Sequence, residues 1–289
     1  MKPIIFFIPV ILFSTICFGQ ADSTVAPVTD SIIPKSTFTI GAVYANNASY
    51  YGQKAQEKTP YAALAATYRF KSGLYLSGLT YKLLNDKKNS SVSASNLGAG
   101  VNFKLAKKIT TDISYSHSFY PAYSPLLQAG NADNASLSLT YESSLNINLA
   151  GDYAFGKTND EFVTGGISKS INLFSIGKKD IVTINPSADV VAGTQHFYQT
   201  YITEQKLRDS VLGIILSPVL GNPPQGTTSN TVSKTSFDLL SYNFKLPLAY
   251  NRSHYVLEAA YQVSVLSKQA QSNPGKTNSF VTLSFYYQF

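Results

Sequence analysis

Residues 280–289 read FVTLSFYYQF, and this stretch at the end of the chain decides the fold class. Alternate positions on one face of it are apolar, namely Val281, Leu283, Phe285, Tyr287 and Phe289. Successive side chains of a β-strand point to opposite faces, so a period of two predicts a strand with one apolar face. Chain ends usually fray unless something holds them. An apolar strand that includes the last residue therefore needs a surface that covers it.

The same alternation continues along most of the chain from Thr37 onward. In the run that ends at Leu105, Leu97, Val101 and Phe103 share one face, and glycine, asparagine and lysine occupy the other. Counting such runs predicts twelve strands, although ten or fourteen also fit the pattern. The predicted ranges are 37–46, 60–70, 74–84, 92–105, 109–120, 134–142, 145–156, 161–173, 181–197, 236–249, 255–266 and 279–289.

Two all-β folds can use such strands. In a β-sandwich the apolar face packs inward, whereas in a transmembrane β-barrel it meets lipid and the polar face lines the lumen. The runs reach about 9–11 residues, which a tilted strand needs to cross a bilayer, while soluble strands are most often about 5–6 residues long. Aromatic residues also cluster at the ends of the runs, as in Tyr68 and Phe70, Phe119 and Tyr120, Tyr153 and Phe155, and 285–289. The sequence therefore predicts a single antiparallel transmembrane β-barrel.

The predicted connections alternate between tight and long. Tight connections such as 71–73 and 106–108 are followed by longer ones such as 85–91 and 121–133, which are richer in Asn, Gly, Pro and Ser. Bacterial membrane barrels have short periplasmic turns and long external loops. With an even number of strands, we expect both termini to be periplasmic.

The ending FVTLSFYYQF resembles the C-terminal signal of Gram-negative outer-membrane β-barrel proteins, in which alternating apolar residues end on Phe. The resemblance implies that Phe285, Tyr287 and Phe289 are recognised by the barrel-assembly machinery. It also implies that the partners of the folded wall are outer-membrane lipids. It covers the architecture of the mature chain and identifies no functional subfamily, because such barrels serve as pores, enzymes, adhesins and anchors.

The N-terminal region predicts export. Residues 1–19 combine a basic Lys2, an apolar run and small residues, which is typical of a secretory signal peptide. Residues 20–36 are rich in Pro, Ser, Thr and Asp and are expected to form a flexible periplasmic leader, so that the barrel spans 37–289. The single cysteine, Cys17, lies in the signal and supports neither a disulfide nor cysteine catalysis.

Composition narrows the partners. Only 13% of the residues are charged, where soluble domains average about 25%. The formal charge of +7 comes largely from lysines in predicted turns and loops. Because there is no basic face or base-stacking motif and the chain is exported, a nucleic-acid partner is not predicted.

The three histidines do not form a recognisable catalytic pattern. Barrel phospholipases place a Ser two residues after a lipid-facing His, but Phe119 follows His117 and Tyr198 follows His196 at that spacing. His196 near a loop Asp is the alternative that a surface hydrolase would need. No enzyme activity, cofactor or metal site is predicted.

The polar face of the strands is the candidate functional surface. It carries eight charged residues that we expect to line the lumen: Arg69, Lys104, Asp112, Glu142, Asp152, Asp189, Lys245 and Glu258. The other positions are mostly small and polar, which leaves volume for water. The sequence thus predicts a narrow pore for small hydrophilic solutes or ions, with a weak cation preference because five of these residues are acidic. A closed barrel whose internal charges pair with each other remains the alternative.

The longest predicted external loop, 198–235, contains the spacing of a short helix in Leu207, Val211, Leu212 and Ile215. Such a helix can fold into the mouth of the barrel as a constriction. It can also lie on the rim and bind a partner, as an adhesion module would.

Overall fold

The computed structural model describes residues 35–85, 92–122, 124–216 and 236–289, and for residues 207–216 it describes the backbone alone. The predicted signal peptide and the leader up to residue 34 lie outside the described residues. The elements are β1 (Thr37–Ala45), β2 (Tyr61–Arg69), β3 (Leu74–Leu83), β4 (Ala94–Ala106), β5 (Ile109–Phe119), a 3₁₀ turn (Leu127–Gly130), β6 (Asp133–Tyr141), β7 (Asn146–Phe155), β8 (Asp160–Ser168), β9 (Ile171–Phe174), β10 (Asp180–Ile184), β11 (Ser187–Gly193), α1 (His196–Leu216), β12 (Asp238–Arg252), β13 (Tyr255–Leu266) and β14 (Thr277–Gln288).

The strands form a closed antiparallel barrel, as predicted. Neighbours along the chain pair with one another from β1 to β8, and β11, β12, β13 and β14 complete the circle. The closing seam joins β1 to β14, with Thr39 opposite Gln288 and Ala45 opposite Thr282. The amide of Phe289 donates to the carbonyl of Phe38 at 2.9 Å, and the two rings stack at 5.9 Å. The last residue of the chain is therefore part of the seam that closes the wall.

Twelve strands form the wall, and two of them are interrupted: one is divided into β8 and β9, and the other into β10 and β11. The barrel therefore contains fourteen strand segments. Strand β12 is long enough to pair with β11 along one half and with β10 along the other. On the side away from β12, β11 pairs with β8 and β10 pairs with β9. The break between β10 and β11 contains Pro186, which has no N–H to give to a ladder.

The predicted strand 181–197 needs a correction at its end. β11 stops at Gly193, and α1 begins at His196, so that residues 196 and 197 belong to the helix. The carboxylate of Asp160 accepts the backbone N–H groups of His196 and Phe197 and thereby fixes the start of the helix. Alternation alone could not reveal this long-range cap.

The outside of the wall is apolar and the inside is polar. Leu64, Leu97 and Leu105 are 64%, 60% and 63% exposed, although they belong to regular strands. A water-soluble protein would bury such a continuous apolar surface, whereas a membrane barrel turns it toward lipid. Aromatic pairs mark both edges of this surface, with Tyr287 and Phe289 at one end and Tyr153 and Phe155 at the other.

The two ends of the barrel differ in their connections. One end has the short turns and both described chain ends, and we refer to it as the short-turn end. There Gly73 adopts φ +90°, and a Cβ at this position would meet the carbonyl oxygen of Asn102 at 2.2 Å. The opposite end carries the connections 46–60, 120–132, 194–237 and 267–276, and we refer to it as the long-loop end. Among the described residues, no helix is both long and apolar enough to cross a membrane.

Candidate functional site

Seven of the eight predicted charged residues lie within strands, on the side opposite the exposed apolar residues, and Glu142 directly follows β6. Two groups of them are brought together near the short-turn end. Lys104 Nζ lies 3.6 Å from Glu142 Oε2, and Thr110 donates to the same carboxylate at 2.5 Å. The Lys104 side chain is 48% exposed, so this pair is open to water. Such an exposed pair contributes at most about 1 kcal/mol to stability.

The second group is built around Tyr75, a large aromatic residue on the polar face of β3. Its hydroxyl donates to Asp112 at 2.9 Å, and Asn102 donates to the other carboxylate oxygen at 3.4 Å. Arg69 lies over the Tyr75 ring, with its guanidinium carbon 5.1 Å from the ring centroid. Tyr75 is not among the predicted lumen residues, although an aromatic residue among small polar ones on the inward face is a detectable signal in the sequence.

The strand register places three of the other predicted lumen residues. Asp189 lies over Gly166, where any Cβ would meet its carboxylate at 2.1 Å. Lys245 pairs in register with Ser187, one inward position from Asp189 on the neighbouring strand. Glu258 lies on β13 opposite Ser284 and is not part of these groups.

The first long connection folds into the lumen. Tyr50 and Gln53 exchange backbone hydrogen bonds at 2.8 and 3.0 Å, and Tyr51 and Gly52 both have positive φ between them. This is the turn type that joins two strands in a tight hairpin. We call residues 50–53 the inward hairpin. A Cβ at Gly52 would meet the side chain of Asn243 on the barrel wall at 2.5 Å, so only glycine fits here.

Polar contacts hold the inward hairpin against the inner wall. The Ser241 hydroxyl donates to the Tyr51 carbonyl at 2.9 Å, and Asn278 donates to the Gly52 carbonyl at 3.0 Å. The Gln53 side chain accepts from the amide of Ser272 at 3.2 Å. Tyr51 also hydrogen-bonds Asp152, so that one of the predicted lumen carboxylates is already engaged by the loop.

An aromatic cluster joins the inward hairpin, the wall and α1 at the long-loop end. The rings of Tyr51 and Phe162 stack at 3.6 Å, and Tyr50 contacts Phe197 edge-on at 4.7 Å. Tyr201 packs into the same cluster from the next turn of α1. These side chains are at most 2% exposed. Buried aromatic contacts of this kind add to the hydrophobic stabilisation that comes from area alone.

Helix α1 is attached to the barrel by a buried carboxylate. Asp160 is fully buried and accepts the N–H groups of His196 and Phe197 at 2.7 and 2.8 Å. Thr194 and Asn131 donate to the remaining positions at 2.8 and 3.0 Å. A carboxylate is stabilised at a helix N-terminus by the free N–H groups and by the helix dipole. The sequence places Asp160 in the predicted connection just before strand 161–173, and nothing in the local pattern identifies it as a helix cap.

The candidate catalytic residue His196 lies within this attachment. Its Nδ1 is 3.1 Å from Asp160 Oδ1, which resembles the orienting half of a hydrolase pair. The same oxygen also accepts the His196 amide and the Thr194 hydroxyl, which is the chemistry of a helix cap. His117 instead lies on the outer wall with Nδ1 2.7 Å from Asp133.

Further contacts join α1 to the inward hairpin's loop. The amide of Gln56 donates to the Tyr201 hydroxyl at 3.1 Å, and the Gln56 side chain reaches Tyr198. From another connection, between β7 and β8, Lys157 forms an ion pair with Glu204 on the helix. The predicted helical positions from Leu207 to Ile215 belong to α1, but their side chains are outside the described residues. The first turns of α1 are therefore held at the long-loop end.

Comparisons with known proteins concern the fold. No protein-family model matches the chain, and no curated protein matches it in sequence. The KdgM porin resembles it with a TM-score of 0.48 and 11% identity, over 87% of this chain and 99% of that chain. The NanC porin has a TM-score of 0.44 and 9% identity, over 86% and 98%. LpxR from Salmonella typhimurium has a TM-score of 0.44 and 8% identity, over 87% and 99%.

Proposed function

We propose that this outer-membrane β-barrel is a narrow pore for small hydrophilic solutes or ions, and that its inward hairpin closes it until that loop is displaced. The observation that carries the proposal is the contrast between the two halves of the lumen. Charged, water-accessible side chains such as Lys104 line the short-turn half. The long-loop half is occupied by the inward hairpin, which packs against inward side chains of the wall such as Phe162.

The contacts of the loop suit a removable closure. Hydrogen bonds from Ser241 and Asn278 to the loop backbone can be replaced by water when the loop leaves, since each is worth only about 0.5–1.5 kcal/mol net. A wall that loses the inward hairpin exposes Ser241, Asn243, Gln262, Ser264 and Asn278, all of them polar and buried at present. Such a surface suits water and hydrophilic solutes.

The charges of the lumen favour cations in the open state. Lys104 and Glu142 neutralise each other, which leaves Arg69 and Lys245 against four carboxylates. Displacing the inward hairpin also frees Asp152 from Tyr51. Rings of carboxylates in a narrow passage attract cations, so we expect a weak cation preference.

Two alternatives rest on specific observations. A closed barrel that acts through segment 198–235 is favoured by the aromatic cluster, which packs the first turns of α1 tightly onto the mouth. A surface hydrolase is favoured by the approach of His196 to Asp160. Because the four donors to Asp160 already occupy that carboxylate, we place the hydrolase last.

Planar-bilayer recordings of the purified protein test the pore directly. Gly52→Val places a Cβ against Asn243 and Ser241 at a positive φ, so we expect it to expel the inward hairpin and to raise conductance above that of the wild type. Gly151→Val is the matched control, because a Cβ at Gly151 meets nothing within 4 Å. Reversal potentials in asymmetric KCl then measure selectivity.

The outcomes separate the three functions. A cation-preferring conductance that increases in Gly52→Val and not in Gly151→Val supports the gated pore. A silent Gly52→Val barrel that is folded, as judged by its heat-modifiable band, contradicts the pore and favours the closed barrel. Lipid or peptide hydrolysis that is lost in His196→Ala would instead favour the hydrolase.

A further inference from the structure

The outer wall carries a groove that the proposed pore does not use. Its volume is about 980 Å³, and it crosses the lipid-facing side of strands β12, β13, β14, β1 and β2. Two neighbouring rows of outward residues, linked by the pairing register, form its floor. One row contains Tyr250, Leu257, Phe285, Ala42 and Leu64, and the other contains Leu248, Ala259, Leu283, Tyr44 and Ala62.

The groove is recessed relative to the rest of the outer wall because alanines lie between the larger side chains of these rows. Ala42 lies between Phe285 and Leu64, and Ala62 lies beside Tyr44. The lining is almost entirely apolar in its accessible atoms, as acyl chains require. A groove with this lining can hold chains in fixed positions, whereas a smooth wall is covered by lipids that exchange freely.

The turn between β9 and β10 forms one edge of the groove. Ile176 and Val182 both line it, and Ile176 is 72% exposed. The amides of Ile176 and Gly177 donate to Asp180 Oδ1, each at 2.8 Å, and the Tyr250 hydroxyl donates to Oδ2 at 2.9 Å. The turn is therefore held in a fixed position against β12.

Positive charge lies at this same edge. Lys178 and Lys179 are exposed in the turn, and Arg252 is the outward residue one row beyond Tyr250. Arg252 pairs in register with Asp180, the residue after Lys179, so that the three cations belong to one patch. The ring of Tyr255, whose hydroxyl is 3.5 Å from Arg252, belongs to the aromatic band at the short-turn end. Such bands lie at the level of lipid headgroups.

We propose that this groove is a binding site for one anionic phospholipid. Arg252, Lys178 and Lys179 bind the phosphate and the charged headgroup, and the acyl chains lie along the alanine-floored rows. Arginine and lysine near a membrane surface attract anionic lipids, and each acyl methylene that leaves water or a poorly packed site adds to binding. The proposal does not depend on whether the lumen conducts.

Native mass spectrometry of the detergent-solubilised protein tests this site. We expect one phosphatidylglycerol to bind and to survive detergent removal in the gas phase. Phosphatidylcholine of the same chain length should bind at least about tenfold more weakly, which corresponds to about 1.4 kcal/mol, because its choline cation offsets the phosphate charge and is repelled by the three cations. Lys178→Gln with Lys179→Gln should abolish the difference between the two lipids. Ala62→Phe, which fills the groove, should weaken the binding of both.

The matched control is Lys107→Gln with Lys108→Gln. These lysines form an equally basic short turn between β4 and β5, away from the groove, and their removal should leave the lipid selectivity unchanged. Equal loss in the two double variants would overturn the site, because binding would then follow the total charge of the short-turn end. Equal affinity for both lipids would also overturn it, as would a dimer that disappears in Ala62→Phe, since the groove would then hold a second copy of the chain.

If Ala62→Phe fails to fold, its heat-modifiable band will be missing, and the lysine variants alone decide the question. Those lysines lie on an exposed turn, so that their replacement should leave the barrel intact.

Discussion

The two ends of this barrel are built by different means. At the short-turn end, adjacent strands are joined by connections such as 70–73, whose hydrogen bonds run between residues a few positions apart. At the long-loop end, the inward hairpin contacts β12, β14 and the loop that precedes β14, and these contacts join residues separated by about 200 positions. The first end is made by local turn geometry, and the second by long-range packing.

This difference separates what builds the wall from what regulates access to it. Local turns fix the register of neighbouring strands and have little freedom to move. Loops held by side-chain hydrogen bonds and aromatic contacts can be displaced without breaking a strand ladder. A barrel that needs an open and a closed state therefore gains by placing its closure in the long loops.

The largest effect is expected at the seam of the short-turn end. Phe289→Asp removes the ring that stacks on Phe38 and places a charge at the lipid-facing edge. If Phe289 also belongs to the assembly signal, the chain should be exported but should accumulate as unassembled protein. The heat-modifiable band in isolated outer membranes measures this, and we expect it to be lost almost completely.

Phe119→Asp is the control for that variant, because Phe119 is also an exposed aromatic residue but lies at the long-loop end and away from the seam. It should reduce the band much less. Normal assembly of Phe289→Asp would mean that the seam closes without its terminal residue.

The contrast between the ends also explains what the sequence could and could not predict. Alternation and turn residues are local signals. They were enough to predict twelve strands, the lipid-facing side of the wall and the inward positions of Asp112 and Asp189. The inward hairpin could not be predicted, because its partners Ser241 and Asn278 are small polar residues like the rest of the lumen. Only the pair Tyr51-Gly52 pointed to a tight turn at this place, because tight hairpins need positive φ at their central residues and therefore favour glycine there.

A second prediction concerns the attachment of α1 at the long-loop end. Asp160→Asn keeps the size of the side chain but points an NH₂ group at donors that now reach both carboxylate oxygens. An unsatisfied buried donor costs about 1–3 kcal/mol, so the first turns of α1 should open more often. Hydrogen exchange of the α1 amides, followed by mass spectrometry, should be faster by about tenfold or more.

The neighbouring Glu161→Gln is the control, because Glu161 is exposed and follows Asp160 directly. It should leave the exchange of α1 unchanged. Equal protection of α1 in wild type and Asp160→Asn would show that the aromatic cluster alone holds the helix.

The smallest effect is expected from the ion pair between Lys157 and Glu204 on the same helix. The Lys157 side chain is 60% exposed and that of Glu204 is 11% exposed, so water already solvates much of the pair. Exposed pairs typically contribute about 0.2–1 kcal/mol, and salt weakens them. Lys157→Gln should therefore accelerate exchange of α1 by no more than about fivefold in low salt. The difference from wild type should shrink at about 1 M salt, where the screening length falls to about 3 Å. Lys206→Gln, which removes an exposed lysine of α1 itself, is the control and should have no effect. An effect of Lys157→Gln as large as that of Asp160→Asn, and equal at both salt concentrations, would mean that this pair is the main attachment of the helix and that the long-loop end is held from its surface.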